Sequence, residues 1–269
     1  MKLTVLMDNH TEIDVYHLGE PAVSYWLEAD GKRFLFDTGY SDAFLKNAKA
    51  MGIDLTMADA ILLSHGHNDH TGGLPDLLAL PFPKKPRLIA HPHALLPKQW
   101  NGMDIGSPLS MKELQEKAVL EFAEAPLWLT DHLVFLGEIP HTVDFEPAYA
   151  IGETIIDGQT VPDIIDDDTA LAYVTEAGIY IITGCSHAGI CNIIQYAKAV
   201  TGKTKVLGLL GGLHLMEENE RSQKTVDFLA KEQISALYPC HCTAFPVRAA
   251  LHAVSPIQEV AGGMTLEWE

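Results

Sequence analysis

Residues 65–73 read HGHNDHTGG and follow directly on the apolar run Ala60–Leu63. The run reads as a short buried strand, so His65, His67, Asp69 and His70 open a loop at a strand end. In an extended segment, residues two apart face the same way, and His65 and His67 can hold one ion together. Gly66 lets the backbone turn tightly, and Gly72-Gly73 permits close approach of a following helix. As the chain starts to coil, Asp69 and His70 swing towards a second position a short distance away. Imidazole plus carboxylate is the donor set of zinc, iron or manganese. A polar loop with satisfied histidines is the plainer reading, but no packing argument asks for four such donors in six residues.

Outward from this loop, short apolar runs alternate with amphipathic helices, the pattern of a layered α/β architecture. The runs Leu3–Leu6, Ala22–Glu28 and Arg33–Phe36 read as strands, and Phe44–Met51 as a helix stopped by Gly52. PFPKKP (81–86) reads as a loop before strand Arg87–Ala90. Residues 94–130 read as an insertion, either a lid over the site carrying Trp100, Met103 and Met111 or an ordinary packing or dimer segment. Within it, Ser110 and Glu113 have capping-box spacing, and a helix is expected to about Glu124. Leu133–Leu136 resumes as a strand, and the acidic stretch Asp157–Asp168 reads as a solvated surface turn. Strands Leu171–Thr175 and Ile179–Thr183 follow, then helix Ile190–Val200, strand Lys205–Leu210, helix Ser222–Lys231, strand Ser235–Tyr238 and helix Pro246–Val254. The two halves echo each other: strand ends in FDTG and SHGH in the first, TGCSH and GGLH in the second. The echo suggests two similar layers in one domain spanning 1–269.

The chain carries 18 Lys and Arg against 36 Asp and Glu, a net charge of −18, which argues against nucleic acid as a partner. A small anionic substrate remains acceptable, because bound cations reverse the local field. With 47% hydrophobic residues the chain can bury a substantial core and is no disordered segment. The N-terminal apolar run stops at Asp8, too short for a signal-peptide core, and no run approaches the ~20 residues of a membrane span. The expectation is a soluble, cytoplasmic protein without membrane contact, with a homodimer left open. Cys185, Cys191, Cys240 and Cys242 form no CxxC pair and suggest no disulfide framework.

HGHNDHTGG resembles the HxHxDH signature of the metallo-β-lactamase superfamily, and FDTG (36–39) resembles the strand end that precedes it there. GEIPH (137–141), TGCSHAGICNI (183–193), GGLHL (211–215) and CHCT (240–243) resemble one branch, the dihydropterin-ribofuranosylaminobenzene-phosphate synthase-like metal-dependent hydrolases. The resemblance covers most of the chain. It implies a four-layer αββα sandwich with a metal site at one edge between the sheets.

By that resemblance His65 and His67 serve a first metal position, Asp69 and His70 a second, and His241 completes the second. TGCSH departs from the superfamily pattern: Cys185 stands where an aspartate between the metals is usual, and a thiolate can replace it as a soft ligand. His187, two residues on, reads as facing the same side. The third ligand of the first position is then His187 or His141; related sequences carry Arg at the latter, which favours His187. His214 is expected to line the pocket and donate to the substrate or its developing anion. Asp37 is a candidate to hold the far nitrogen of a ligating His. His91 and His93 read as surface or pocket lining, and His10, His17, His132 and His252 as ordinary.

One or two Zn²⁺, or Mn²⁺ or Fe²⁺, would acidify a bound water and polarise the attacked carbonyl or phosphoryl oxygen. The expected activity is hydrolysis of a small ester, lactone or phosphoester by a metal-bound hydroxide, with Asp69 and His214 as the catalytic side chains. The branch label implies a different reaction class, a transferase joining 4-aminobenzoate to phosphoribosyl pyrophosphate. A non-catalytic metal-binding or redox module ranks last. No GxSxG, GxGxxG or GxxxxGK[ST] motif points to other chemistry.

Overall fold

The computed structural model describes residues 1–268. Side-chain alternation in its strands builds the layers. In strand Lys32–Phe36, Phe34 and Phe36 enter one apolar core while Leu35 enters another. In the neighbouring strand Ala60–Leu62, Ala60 and Leu62 go with the first and Ile61 with the second. Residues two apart share a face, so one sheet separates two cores. The second sheet repeats the logic: Leu171, Ile182 and Leu210 point into the core shared with the first sheet, and Ala172, Ile181 and Leu209 point away. Helices cover the outer faces. Phe44 and Ala48 of Ala43–Ala50 lie on the first sheet. Ile194, Val226 and Leu251, from Ile190–Thr201, Glu220–Glu232 and Phe245–Val254, lie on the second. The result is the αββα sandwich.

The first sheet runs in the order Thr265–Glu267, Lys2–Met7, Ser24–Ala29, Lys32–Phe36, Ala60–Leu62, Arg87–Ala90, Val119–Phe122. The second runs Ala236–Cys240, Val206–Gly212, Ile179–Thr183, Ala170–Val174, Leu133–Phe135, Leu127–Trp128. Both combine antiparallel and parallel pairing. Lys32–Phe36, Ala60–Leu62 and Arg87–Ala90 pair in parallel, as do Ile179–Thr183, Val206–Gly212 and Ala236–Cys240. Parallel neighbours finish at the same edge. The loops after Phe36, Leu62, Thr183, Gly212 and Cys240, which carry the sequence motifs, therefore gather there.

Two expectations fail. The helix that begins at Ser110 has its capping box but ends at Lys117, and Val119–Phe122 is a strand paired in parallel with Arg87–Ala90. Ala118 has already turned extended (φ −131°, ψ 164°), and the following Val119-Leu120 suits the open edge of the sheet. The acidic stretch is also not a solvated turn. Asp163, Asp167 and Asp168 are buried. A small antiparallel sheet, Lys98–Trp100, Met103–Asp104, Glu153–Ile156 and Gln159–Pro162, folds over this region and delivers Lys98 to it. The Lys98 ammonium, 1% exposed, lies 2.8 Å from Asp163 Oδ2 and 2.9 Å from Asp167 Oδ1.

Asp167 uses its other oxygen to accept the Gly66 N–H at 2.7 Å, so this ionic triple anchors the histidine loop. Gly66 needs room more than freedom of φ. A Cβ there would meet Ala94 O at 2.2 Å and Lys98 Cε at 2.7 Å.

A buried charge that loses its partner is costly, so Lys98→Met should cost about 3–5 kcal/mol in urea unfolding at pH 7. Burial raises the Asp167 pKa, but Lys98 outweighs it and holds the carboxyl below its ordinary 3.8. The stability Asp167 contributes is therefore present above that value and lost as pH falls through the lowered one. The gap between wild type and variant should narrow in acid. An equal gap at every pH, or none at pH 7, would contradict the ionic role of Lys98.

Candidate metal centre

Five imidazoles converge at the shared sheet edge. Ring centroids are 4.7 Å apart for His65–His67 and for His65–His187, 4.2 Å for His65–His70, 4.9 Å for His67–His187 and 5.2 Å for His70–His241. His65, His67 and His70 come from the loop after Ala60–Leu62, His187 from the loop after Ile179–Thr183, and His241 from the end of Ala236–Cys240. Cys185 joins them, its Sγ 3.2 Å from His70 Nε2. Asp69 Oδ2 lies 3.5 Å from His70 Nε2 and 3.3 Å from His241 Nε2.

The outer nitrogens are held by neighbours. His65 Nδ1 meets Ser64 Oγ at 2.9 Å and His70 Nδ1 meets Asp37 Oδ2 at 2.7 Å. His187 Nδ1 meets Tyr149 Oη at 3.2 Å and His241 Nδ1 meets Asn9 Oδ1 at 3.1 Å. The Nε2 atoms of these four rings turn inward, and that of His187 is buried without a hydrogen-bond partner. In His67 the inward nitrogen is Nδ1, 3.1 Å from His65 Nε2. Ligating histidines are oriented in this way, one nitrogen on a supporting group and the other free for a cation. The donors fit a divalent metal. Asp69, His70, Cys185 and His241 have donor atoms within 4.8 Å of one another, as do His65, Cys185 and His187. Cys185 belongs to both sets.

Burial lowers the pKa of His67 to about 4, and burial together with the neighbouring imidazoles takes His65 and His187 well below the ordinary range. These rings are neutral donors at pH 7. His70 is opposite: burial pulls its pKa down, but the Asp69 and Asp37 carboxylates outweigh burial and raise it. Asp69 is held ionised, since His70 and His241 outweigh its burial.

Four residues of the site have a strained backbone. Asp37 (φ 60°), Ser186 (φ 59°), His214 (φ 45°) and His241 (φ 51°) all sit in the left-handed region without being glycine. The cleft above the donors, about 350 Å³, is lined by Trp100, Ile105, Ile151, His214 and Met216 among others. Trp100 and Ile105 bring the 94–130 segment to its wall; Met111 instead lines a larger neighbouring cavity of about 830 Å³ that contains none of the five imidazoles.

Every residue expected at the metal positions, His65, His67, Asp69, His70, Cys185, His187 and His241, is brought together, and Asp37 occupies the supporting position. His214 lines the cleft, its ring 4.2 Å from that of His187. His141 is elsewhere, with Nδ1 on Glu146 O at 3.1 Å, so His187 is the imidazole beside His65 and His67. His91 is buried, and His93 pairs with Asp166 at 2.9 Å, away from the cleft. Sequence reasoning missed Asn9, Tyr149, Lys98, Asp167 and Cys242. The first two lie in irregular loops with no periodic signal. The two-residue spacing of Cys240 and Cys242 was visible, but not that His241 turns the backbone between them.

Fold and donor cluster together define a metallo-β-lactamase-type sandwich. The sequence model of the Metallo-beta-lactamase superfamily matches residues 18–200, and the chain belongs to that superfamily. It is 31% identical over 262 residues to the 7,8-dihydropterin-6-methyl-4-(beta-D-ribofuranosyl)-aminobenzene-5'-phosphate synthase of Methanocaldococcus jannaschii, covering 91% of this chain and 88% of that protein. An uncharacterised protein of the same organism is 31% identical over 244 residues, covering 90% of this chain and 91% of its own length. The crystal structure of Tm1679, described as a metal-dependent hydrolase of the β-lactamase superfamily, superposes with a TM-score of 0.84 at 27% identity, covering 100% of this chain and 99% of that one.

Supporting groups of ligating histidines typically matter by 10–100-fold in metal affinity, and Asp37→Asn should weaken Zn²⁺ binding by about that factor in chelator competition. Unchanged affinity in a folded variant would remove Asp37 from the support of His70.

Proposed function

We propose that this protein is a metal-dependent hydrolase of a small, anionic ester, lactone or phosphoester. One observation carries the reading: two donor sets share Cys185 at the floor of a cleft, and His65, His70, His187 and His241 are each turned inward by a partner on the far nitrogen. His65, His67 and His187 would hold one cation, and Asp69, His70, Cys185 and His241 a second, with Zn²⁺ favoured and Mn²⁺ or Fe²⁺ open to the same donors. Bound there, divalent cations supply Lewis acidity and bring the pKa of a water towards neutrality. Asp69, held ionised at the cleft wall, accepts a proton from water entering the site. His214 lines the same cleft and supplies an imidazole N–H to the oxygen that gains charge. Trp100, Ile105 and Ile151 give the cleft an apolar wall.

A second reading, the transferase joining 4-aminobenzoate to phosphoribosyl pyrophosphate, is favoured by the similarity to the M. jannaschii synthase. Against it, no arginine lines the cleft among the described residues, and Arg221 lies over Tyr149, 5.3 Å from its ring centroid. A pyrophosphate wants cationic donors in addition to a metal.

The purified protein should bind at least one Zn²⁺ or Mn²⁺ per chain on reconstitution; fewer than one in elemental analysis contradicts the proposal. On a panel of phosphomonoesters, phosphodiesters and lactones, Asp69→Ala should lose about 10²–10⁴-fold in kcat/KM. Full activity in Asp69→Ala, or turnover only of 4-aminobenzoate with phosphoribosyl pyrophosphate, would displace the hydrolase reading. Because ligating imidazoles must be neutral and His67 takes up a proton only near pH 4, metal content and activity should fall together as pH approaches about 4. Activity that persists after the metal has been lost in acid would contradict histidine ligation.

A further inference from the structure

Cys242 is not used by either donor set, and its surroundings are built for a sulfur. Two residues apart on a regular strand, Cys240 and Cys242 would share a face. His241, at φ 51°, breaks that alternation. Cys240 stays in the core between the sheets, its Sγ 3.4 Å from Tyr25 Oη, while Cys242 turns into the cleft. There its Sγ accepts the His214 backbone N–H at 3.3 Å and lies 3.6 Å from Cys185 O. Gly212 leaves the room: a Cβ at that position would sit 2.5 Å from Cys242 Sγ. The donor atoms of Cys185, Cys242 and His214 lie within 4.8 Å of one another, and His214 Nδ1 is buried with no hydrogen-bond partner.

We propose that Cys185, Cys242 and His214 form a third, thiolate-rich donor set on the cleft floor, fitted to a thiophilic divalent cation such as Zn²⁺ or Cd²⁺. The proposal rests on the metal reading of the cleft and adds to it a soft position beside the harder His/Asp pair. Bonds of about 2.3 Å to sulfur and 2.0 Å to nitrogen in a tetrahedron separate the donors by roughly 3.5 Å, so small side-chain rotations close the set. Soft ligands select soft cations. Each thiol gives up its proton to solvent as the cation enters, with no change of oxidation state. His91, His93 and Asp166 are grouped elsewhere, but His91 Nδ1 already accepts the His93 N–H and His93 Nδ1 already faces Asp166.

The test is a Cd²⁺ titration of chelator-treated, reduced protein, read by sulfur-to-metal charge-transfer absorbance and by equilibrium dialysis. At saturation, Cys242→Ser should retain about half the wild-type absorbance, since one of two thiolates is gone. His214→Ala should keep the absorbance but bind at least about tenfold more weakly. In the wild type, Cd²⁺ should protect Cys242 from iodoacetamide, read by peptide mass spectrometry, which needs no variant to fold. Cd²⁺ binding with full absorbance in Cys242→Ser and unprotected Cys242 in the wild type would overturn this proposal and leave the His/Asp sites standing. A wild type that binds neither Cd²⁺ nor Zn²⁺ would overturn both.

Discussion

The Asp37 carboxylate is the knot on which the site depends. Oδ1 accepts the Ser64 N–H and Oδ2 accepts the Ser64 hydroxyl, each at 2.7 Å, and Oδ2 also holds His70 Nδ1 at 2.7 Å. The same Ser64 hydroxyl reaches His65 Nδ1. One buried carboxylate at the end of Lys32–Phe36 thereby fixes the start of the neighbouring loop and the orientation of two imidazoles on it. The opposite sheet is drawn to the same point: a Cβ on Gly184 would sit 2.2 Å from Ser64 Oγ and 3.0 Å from Asp37 Oδ2. A buried acceptor must be satisfied, so the strand ends that surround Asp37 have little freedom to drift.

The layers were legible because period-two alternation is a direct record of which face is buried. Phe34, Leu35 and Phe36 state it in three residues. The donor loop was legible because four ligand-type side chains in six residues have no packing explanation. Cys185 and His187 could be picked out because TGCSH resembles, and departs from, the superfamily's strand-end pattern, and the structure puts both beside His65. What stayed hidden depends on long-range pairing. Asp163 and Asp167 look like surface acids until Lys98, some 65 residues earlier, is known to reach them. Val119–Phe122 looks like the end of a helix until Arg87–Ala90 offers it an open sheet edge. Cys242 looks like a twin of Cys240 until the φ of His241 separates them.

The site also shows how two sheets can share one set of donors. His65, His67, Asp69 and His70 arrive from the first sheet in one short loop, where local backbone geometry sets their spacing. Cys185, His187, His214 and His241 arrive from three strand ends of the second, where the parallel register sets it. Neither sheet completes either proposed position alone. The packing of Phe36 and Leu62 against Leu171, Ile182 and Leu210 therefore determines donor spacing as much as the loops do.

The left-handed backbone at Asp37, His214 and His241 has an evolutionary corollary. Each of these conformations is adopted by glycine with less strain than by the residue present. Substitutions to glycine would relax the chain while removing a carboxylate or an imidazole from the site. Selection for thermal resistance alone, with no demand for activity, would then be expected to erode these positions early. A drifting lineage of this fold would lose its strained donors while keeping its sandwich, and would become a more robust scaffold with less chemistry.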